Sequence, residues 1–234
     1  MSGKVYLDAQ TALHDVVDGA SIMAGGFGLC GNPENCISEL ARRSISNLTI
    51  ISNNCGNQGR GLAVLLQQRK VSRVIGSYIG GNPDLQQQYL AGELEVELNP
   101  QGTLAERIRA GGAGLGGFFT PTGVGTVVAD GKEERIIDDR TYIFETALRA
   151  DYAIIRAEVG DTFGNLRFYG TARNFSPAMA MAARIAIVEV DTLVEVGQLD
   201  AADVHLPGIF VQRIFQGCDY VDPIEYRTTR PREV

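Results

Sequence analysis

Short apolar runs alternate with amphipathic stretches along this chain, the pattern of an α/β fold in which helices pack on a buried, mostly parallel sheet. Ser21-Ile22-Met23-Ala24 is the first apolar run and predicts a buried strand. It enters Gly25-Gly26-Phe27-Gly28-Leu29-Cys30-Gly31 and then a helix, with Asn32 as N-cap, Pro33 at the first helical position and Glu34 in the first turn. Ile37, Leu40 and Ala41 follow at helical spacing. Residues 48–51 predict a second strand, ending in Ser52-Asn53-Asn54, and 62–66 a short helix. A third strand starts at Val74-Ile75. Asn82-Pro83-Asp84 repeats the cap, proline and acid start and opens a helix through Leu90, with Gly92 as its stop.

Further along, Leu94, Val96 and Leu98 alternate with Glu93, Glu95 and Glu97, so one face is buried and the other wet. Residues 103–109 predict a helix ended by Gly111. The run 111–125 holds seven glycines together with Phe118, Phe119 and Pro121, which suits a narrow ligand channel or close strand packing rather than a linker, with 119–123 as an ordered turn. Strand signals recur at 136–137, 142–144 and 152–155, and the last pairs with 166–169 across the Asp161-Thr162-Phe163-Gly164-Asn165 turn. A helix at 179–183, a strand at 185–190 and a final strand at 209–214 complete the pattern. These divide the chain into one domain over 1–218 and a C-terminal tail over 219–234 without periodicity.

Composition narrows the field. A chain of 234 residues, 44% hydrophobic and 21% charged, can bury a core without disulfides or metal. The net charge of −7 argues against nucleic acid or an anionic membrane as partner, since both need a basic surface. Neither a signal-peptide pattern nor an apolar run of membrane-spanning length is present, so cytoplasm is the expected location. Cys30, Cys36, Cys55 and Cys218 form no CxxC pair and only His14 and His205 could join them, so no metal site is expected.

Several segments could carry chemistry. Gly26-x-Gly28-x-x-Gly31 fits a dinucleotide-binding spacing, in which a helix start lends free N–H donors to an anion. The nicotinamide reading also wants an acid at the end of the second strand, where this chain has Asn53 and Asn54 instead. Those carboxamides suit a carboxylate or a thioester carbonyl, and Gln101, after Asn99-Pro100, can point into the same crevice. Glu145 at a strand end is a tempting nucleophile, but such a residue is more often ion-paired. The chain offers no persuasive nucleophile or general base of its own.

The segment Asp18-Gly19-Ala20-Ser21-Ile22-Met23-Ala24-Gly25-Gly26-Phe27-Gly28-Leu29-Cys30-Gly31-Asn32-Pro33 resembles the signature of the A subunit of 3-oxoacid CoA-transferases. The likeness continues through Ile51-Ser52-Asn53-Asn54-Cys55-Gly56, the long stretch 92–114, Thr171-Ala172-Arg173-Asn174-Phe175 and Pro207-Gly208-Ile209-Phe210-Val211-Gln212-Arg213, spanning roughly residues 4–215. The resemblance implies an α/β CoA-transferase (NagB/RpiA-like) fold and a ping-pong transfer of CoA from succinyl-CoA to a 3-oxoacid such as acetoacetate. It also implies that the catalytic residue, a glutamate in a Glu-Asn-Gly context, belongs to a partner B subunit in an AB heterodimer or an A2B2 heterotetramer. No Glu-Asn-Gly occurs here; Glu34-Asn35-Cys36 is the nearest. By the same resemblance CoA is a substrate, with no tightly bound cofactor, and its site falls on Gly25, Gly26, Phe27, Gly28, Leu29, Cys30 and Gly31. Asn53, Asn54 and Gln101 would orient the acid or thioester, with Phe27 and Phe119 as apolar walls. Leu115-Gly116-Gly117-Phe118-Phe119 looks closer to the 3-oxoadipate branch, whereas Gly76-Ser77-Tyr78-Ile79-Gly80 and residues 27–31 favour the succinyl-CoA:3-oxoacid branch. A reading from another class, an effector-binding regulatory domain, wants a basic DNA-binding helix pair that the sequence lacks.

Overall fold

The computed structural model describes residues 3–57 and 59–221. The first half builds a run of strands and helices: α1 (Ala9–Ala12), β1 (Ser21–Ala24), α2 (Glu34–Arg42), β2 (Leu48–Ile51), α3 (Ala63–Gln67), β3 (Val71–Gly76), α4 (Pro83–Leu90), β4 (Glu95–Leu98) and α5 (Gln101–Gly112). The second half adds β5 (Gly117–Thr120), β6 (Glu134–Ile137), β7 (Arg140–Thr146), β8 (Ala150–Asp161), β9 (Leu166–Arg167), α6 (Ser176–Ala182), β10 (Ala183–Val194) and β11 (Arg213–Gln216). The main sheet runs β11-β10-β8-β1-β2-β3-β4, all parallel, with β9 antiparallel on β8. A separate antiparallel sheet has the order β5-β7-β6. Its hairpin turns at Asp138 and Asp139, both at positive φ (48° and 57°), as a turn matched to strand twist requires.

Each face of the main sheet carries its own core. Leu40, Leu48, Ile50, Leu65 and Leu85 pack α2, α3 and α4 on one side. Leu104, Ile108, Met179, Ala186 and Val188 pack α5 and α6 on the other. Strands covered on both faces need continuous apolar runs, which is why β1, β2 and β8 stand out in the sequence.

Several boundaries differ from the periodicity. Asn32 does not cap α2; the helix starts at Glu34 behind Pro33, which has no side-chain cap bond. Gly111 lies inside α5 and is required by packing, since a Cβ there would collide with the Leu148 carbonyl. The last strand starts at Arg213, because Gly208–Phe210 forms a 3-10 turn and Ile209 faces outward. The predicted alternation buries Leu94, just before β4, but leaves Leu98 at the strand's end half exposed, since β4 is a sheet edge. Asn82 does cap α4, its side chain accepting from the Leu85 N–H at 3.0 Å. The expected tail is described only to Val221, and there it is held: Asn35 Nδ2 donates to the Cys218 carbonyl and the Val221 N–H to Glu34. Residues 222–234 lie outside the described residues.

The missing α2 cap comes from a distant strand. Glu189 of β10 accepts the Asn35 N–H at 3.3 Å and the Cys36 N–H at 2.8 Å. A carboxylate at a helix start complements both the free donors and the dipole. Complete burial pushes the Glu189 carboxyl up to about 7, against the two N–H donations and the nearby Arg156 that pull it down. The folded value exceeds the ordinary 4.5, so the native state keeps a proton that the unfolded chain releases between those two pH values. This group's contribution to stability is therefore complete below about 4.5 and is lost as pH rises through 7. The wild type is expected to lose about 3 kcal/mol between pH 4.5 and 8 from this source, and Glu189→Gln to remove that slope. Urea unfolding of both proteins across the range checks it; equal pH dependence in the two would refute the assignment.

Candidate functional site

The sheet register decides which side chains meet. Met23, Ile51, Ile75 and Glu97 are paired in one row across β1, β2, β3 and β4. Two residues on, at the C-terminal ends, come Gly25, Asn53, Ser77 and Asn99, with the Ser77 N–H bonded to the Asn53 carbonyl and the Asn99 N–H to Gly76. Parallel strands thus deliver the loop after β1, the Asn53-Asn54 pair after β2 and the start of α5 after β4 to one edge. Open α/β sheets place their binding crevice there.

A chain of carboxamides links these loops. Gln101 Nε2 donates to Asn53 Oδ1 at 2.9 Å, Asn53 Nδ2 to Asn54 Oδ1 at 3.0 Å, and the Gly28 N–H to the same Asn54 oxygen at 2.8 Å. Asn53 and Asn54 are buried while Gln101 is exposed, so the chain runs from the protein interior to the surface. Each amide fixes the next in orientation, with no charge buried.

A cavity of about 620 Å³ opens beside Gln101. One wall is the β1–α2 loop, through Phe27 and Cys30. The first two turns of α5 form a second wall, from Gln101 and Gly102 to Glu106 and Arg109. The third is Thr171, Asn174, Phe175 and Ala178, from the 3-10 turn Gly170–Arg173 and the start of α6. Glu106 is the one carboxylate in that lining, and it is bidentate to Arg109 at 2.8 and 2.6 Å. The Arg109 guanidinium holds the Glu106 carboxyl below the usual carboxylate range, so it is a committed ion-pair partner.

The glycine loop is built to be touched. Phe27 and Cys30 exchange both backbone bonds at 3.0 Å, closing a two-residue turn for which Gly28 supplies positive φ. Gly26 sits at φ 120°, where a Cβ would run into Asn32 Oδ1. Cβ atoms on Gly25 and Gly31 would stand 2.6 Å from Ser176 Oγ and 2.7 Å from the Ala172 carbonyl. Most of the N–H donors expected to be free are engaged within the chain. Gly25 donates to Ile154, Gly26 to Asn174 Oδ1, Phe27 to Cys30, Gly28 to Asn54 and Cys30 to Phe27, while the α2 amides face Glu189. The spacing of a phosphate cradle is present, but the donors of Gly25, Gly26, Phe27, Gly28 and Cys30 are occupied.

Of the residues singled out from sequence, Phe27, Cys30 and Gln101 line the cavity, and Asn53 and Asn54 stand behind Gln101. Phe119 lies apart. It belongs to β5, packs on Phe144 with ring centres 5.2 Å apart, and carries the Arg135 guanidinium 4.5 Å above its face. Glu145 is buried away from the cavity lining and paired with Lys132 at 2.6 Å, with Arg107 Nε 3.9 Å away. Arg107 also holds Glu97 at 2.5 Å and Asn99 at 2.6 Å, so this charge cluster ties α5 to β4 and β7. Burial raises the Cys36 thiol and pushes the Cys55 thiol up to about 12, which leaves both as inert core residues. Sequence reasoning gave no role to Asn174; its only signal was its place in Thr171-Ala172-Arg173-Asn174-Phe175.

Residues 6–217 match the family model described as coenzyme A transferase. A protein of Xanthomonas campestris pv. campestris strain B100, named as the A subunit of a succinyl-CoA:3-ketoacid coenzyme A transferase, is 55% identical over 228 residues, 97% of this chain and 94% of its own. A protein of the same name from Helicobacter pylori strain J99 is 49% identical, over 97% of this chain and 98% of its own. Among solved structures, an acyl-CoA transferase of Escherichia coli O157:H7 in a thioester complex with CoA superposes with a TM-score of 0.83 at 24% identity. That likeness covers 94% of this chain but about half, 48%, of the E. coli chain. Glutaconate coenzyme A-transferase from Acidaminococcus fermentans gives 0.82 at 19% identity, over 91% of this chain and 75% of that one. At such identities these two speak for the fold.

Steric closure of the glycine loop is testable directly. Gly26→Ala combines a backbone angle that side chains avoid with a collision on Asn32, and is expected to cost about 3 kcal/mol. Thermal unfolding reads it; an unchanged melting temperature would mean that the loop has slack.

Proposed function

The chain belongs to the coenzyme A transferase family, and on that premise we propose that it is the A subunit of a cytoplasmic transferase that moves CoA from succinyl-CoA to a 3-oxoacid. The observation that carries the reading is a cavity walled by carboxamides and aromatic rings whose single carboxylate, Glu106, is already bound to Arg109. The chemistry of the family needs a free carboxylate, so we assign that group to a partner B subunit, in an AB pair or an A2B2 assembly.

The reaction then runs in four balanced displacements. The partner's carboxylate attacks the thioester carbonyl of succinyl-CoA and expels the CoA thiolate, leaving a mixed anhydride. The thiolate attacks the glutamyl carbonyl of that anhydride, releasing succinate and forming a glutamyl thioester. The acceptor's carboxylate displaces CoA from the thioester, giving a second anhydride. CoA finally attacks the acceptor's acyl carbonyl and frees the glutamate. No redox change occurs, and CoA enters and leaves as part of the substrates.

Each tetrahedral step concentrates negative charge on one oxygen, and a pre-aimed neutral donor stabilises it without first attracting counter-ions. Gln101 at the cavity wall is that donor, held by Asn53, which is held in turn by Asn54. Phe27 and the rest of residues 25–31 form the CoA wall. With the amide hydrogens of Gly25, Gly26, Phe27, Gly28 and Cys30 engaged inside the chain, they contribute shape rather than charge. Residues 1–218 act as one domain, and the tail that begins at 219 is bonded at Val221, whose N–H donates to Glu34 at the start of α2.

The purified chain alone should leave succinyl-CoA untouched, while the chain mixed with its B subunit should form acetoacetyl-CoA. Gln101→Ala in the reconstituted enzyme is expected to lose about 100-fold in kcat/KM. Offering acetoacetate and 3-oxoadipate side by side identifies the acceptor. Full activity of the single chain, or a thioester trapped on one of its own glutamates, would overturn the reading.

A further inference from the structure

Two walls of the cavity come from segments far apart in sequence, and one side chain joins them. Asn174 Oδ1 accepts the Gly26 N–H at 3.1 Å, the Phe175 N–H at 2.7 Å and the Ser176 hydroxyl at 3.4 Å. Its Nδ2 donates to the Ala172 carbonyl at 2.6 Å. Both ends of the carboxamide are therefore engaged, one across to the glycine loop and the other within its own turn. The residue stands at φ 33° and ψ −124°, a conformation that side chains seldom adopt and that glycine takes freely. An asparagine kept at such a backbone position is there for its side chain.

The surroundings make this tether tight. Gly25 leaves no room against the Ser176 hydroxyl, nor Gly31 against the Ala172 carbonyl and the Asn174 amide itself, so the two segments are in close contact on either side of the Gly26 bond. Phe27 follows immediately on Gly26, and Phe175 immediately on Asn174; both rings face the cavity. Moving the glycine loop relative to the 170–176 turn changes the distance between those rings.

We propose that Asn174 is a positioning residue for the transfer reaction: by bonding Gly26 it fixes the separation of the Phe27 and Phe175 walls and so the fit of the acyl-CoA. This rests on the reading that the cavity receives the acyl-CoA. A bound chain must be held close to its reacting geometry, and a misplacement near 1 Å costs on the order of 100-fold. The tether therefore acts through substrate fit, whereas a purely structural residue would lower only the amount of folded enzyme.

Asn174→Gly isolates the side chain, because glycine keeps the backbone angle. In the enzyme assembled with its B subunit, the variant should raise KM for succinyl-CoA about tenfold with the melting temperature held within a few degrees. Hydrogen exchange at the Gly26 amide should accelerate at least tenfold. Asn174→Asp retains an oxygen for the Gly26 and Phe175 amides and should give a KM between the wild type and the glycine variant. Wild-type KM and Gly26 protection in Asn174→Gly would overturn the proposal, as would a drop in kcat matched by the loss of folded enzyme at unchanged KM. If the wild-type assembly transfers no CoA, the functional reading fails, while the exchange rates still report on the tether.

Discussion

Everything at the site follows from the reversal of strand order at β1. The chain lays down β1, β2, β3 and β4 in one direction, then returns to put β8, β10 and β11 on the other side. Loops leaving β1 and β2 turn toward one flank and those of the returning arm toward the other, so a gap opens above the centre of the sheet. The parallel register carries Gly25, Asn53 and Asn99 to its rim. What remains is to fill the gap partly, and the glycine loop and the 170–176 turn do so by close contact, with the Asn174 side chain bonded between them.

Charge is handled consistently around that gap. Carboxylates in this half-buried framework are matched to specific cations or donors: Glu97 to Arg107 and Arg73, Glu145 to Lys132, Glu106 to Arg109, Glu189 to the α2 amides. Where a partner is buried, as with Glu145 and Arg107, removing the other strands it, which is costly. The residues from Gly28 to Gln101 are linked by neutral amides instead. Such a wall offers aligned donors and acceptors without a fixed charge.

Local patterns are a sufficient guide to the fold where local forces dominate. The apolar runs of β1 and β2 and the Asn82 cap were legible because burial and capping act over a few residues. Failures trace to partners distant in sequence. Asn32 had the right neighbours for a cap, but the cap is Glu189, 153 residues from Cys36. Gly111 looked like a stop, yet it is in α5 because the Leu148 carbonyl presses on it. Phe119 is a pocket wall only by the family resemblance, and here it belongs to the small antiparallel sheet that the surrounding glycines serve, as at Gly117 against Phe144. Around the cavity, Asn53 and Asn54 meet Gln101 at strand ends that the apolar runs locate, whereas the bond of Asn174 to Gly26 spans 148 residues and leaves no local pattern.

The loop Gly26-x-Gly28-x-x-Gly31 shows why spacing underdetermines chemistry. In a phosphate cradle, glycines remove side chains so that N–H groups can point at an anion. Here the same residues remove side chains so that another part of the chain can come close, and the N–H groups point inward to Asn174, Asn54 and Cys30. The helix behind the loop is likewise spoken for, its first amides turned to Glu189. Both arrangements need small residues between a strand and a helix, so both select the same letters. What separates them is the fate of the donors, and apart from the local Phe27–Cys30 pair that is decided by residues 26 to 154 positions away.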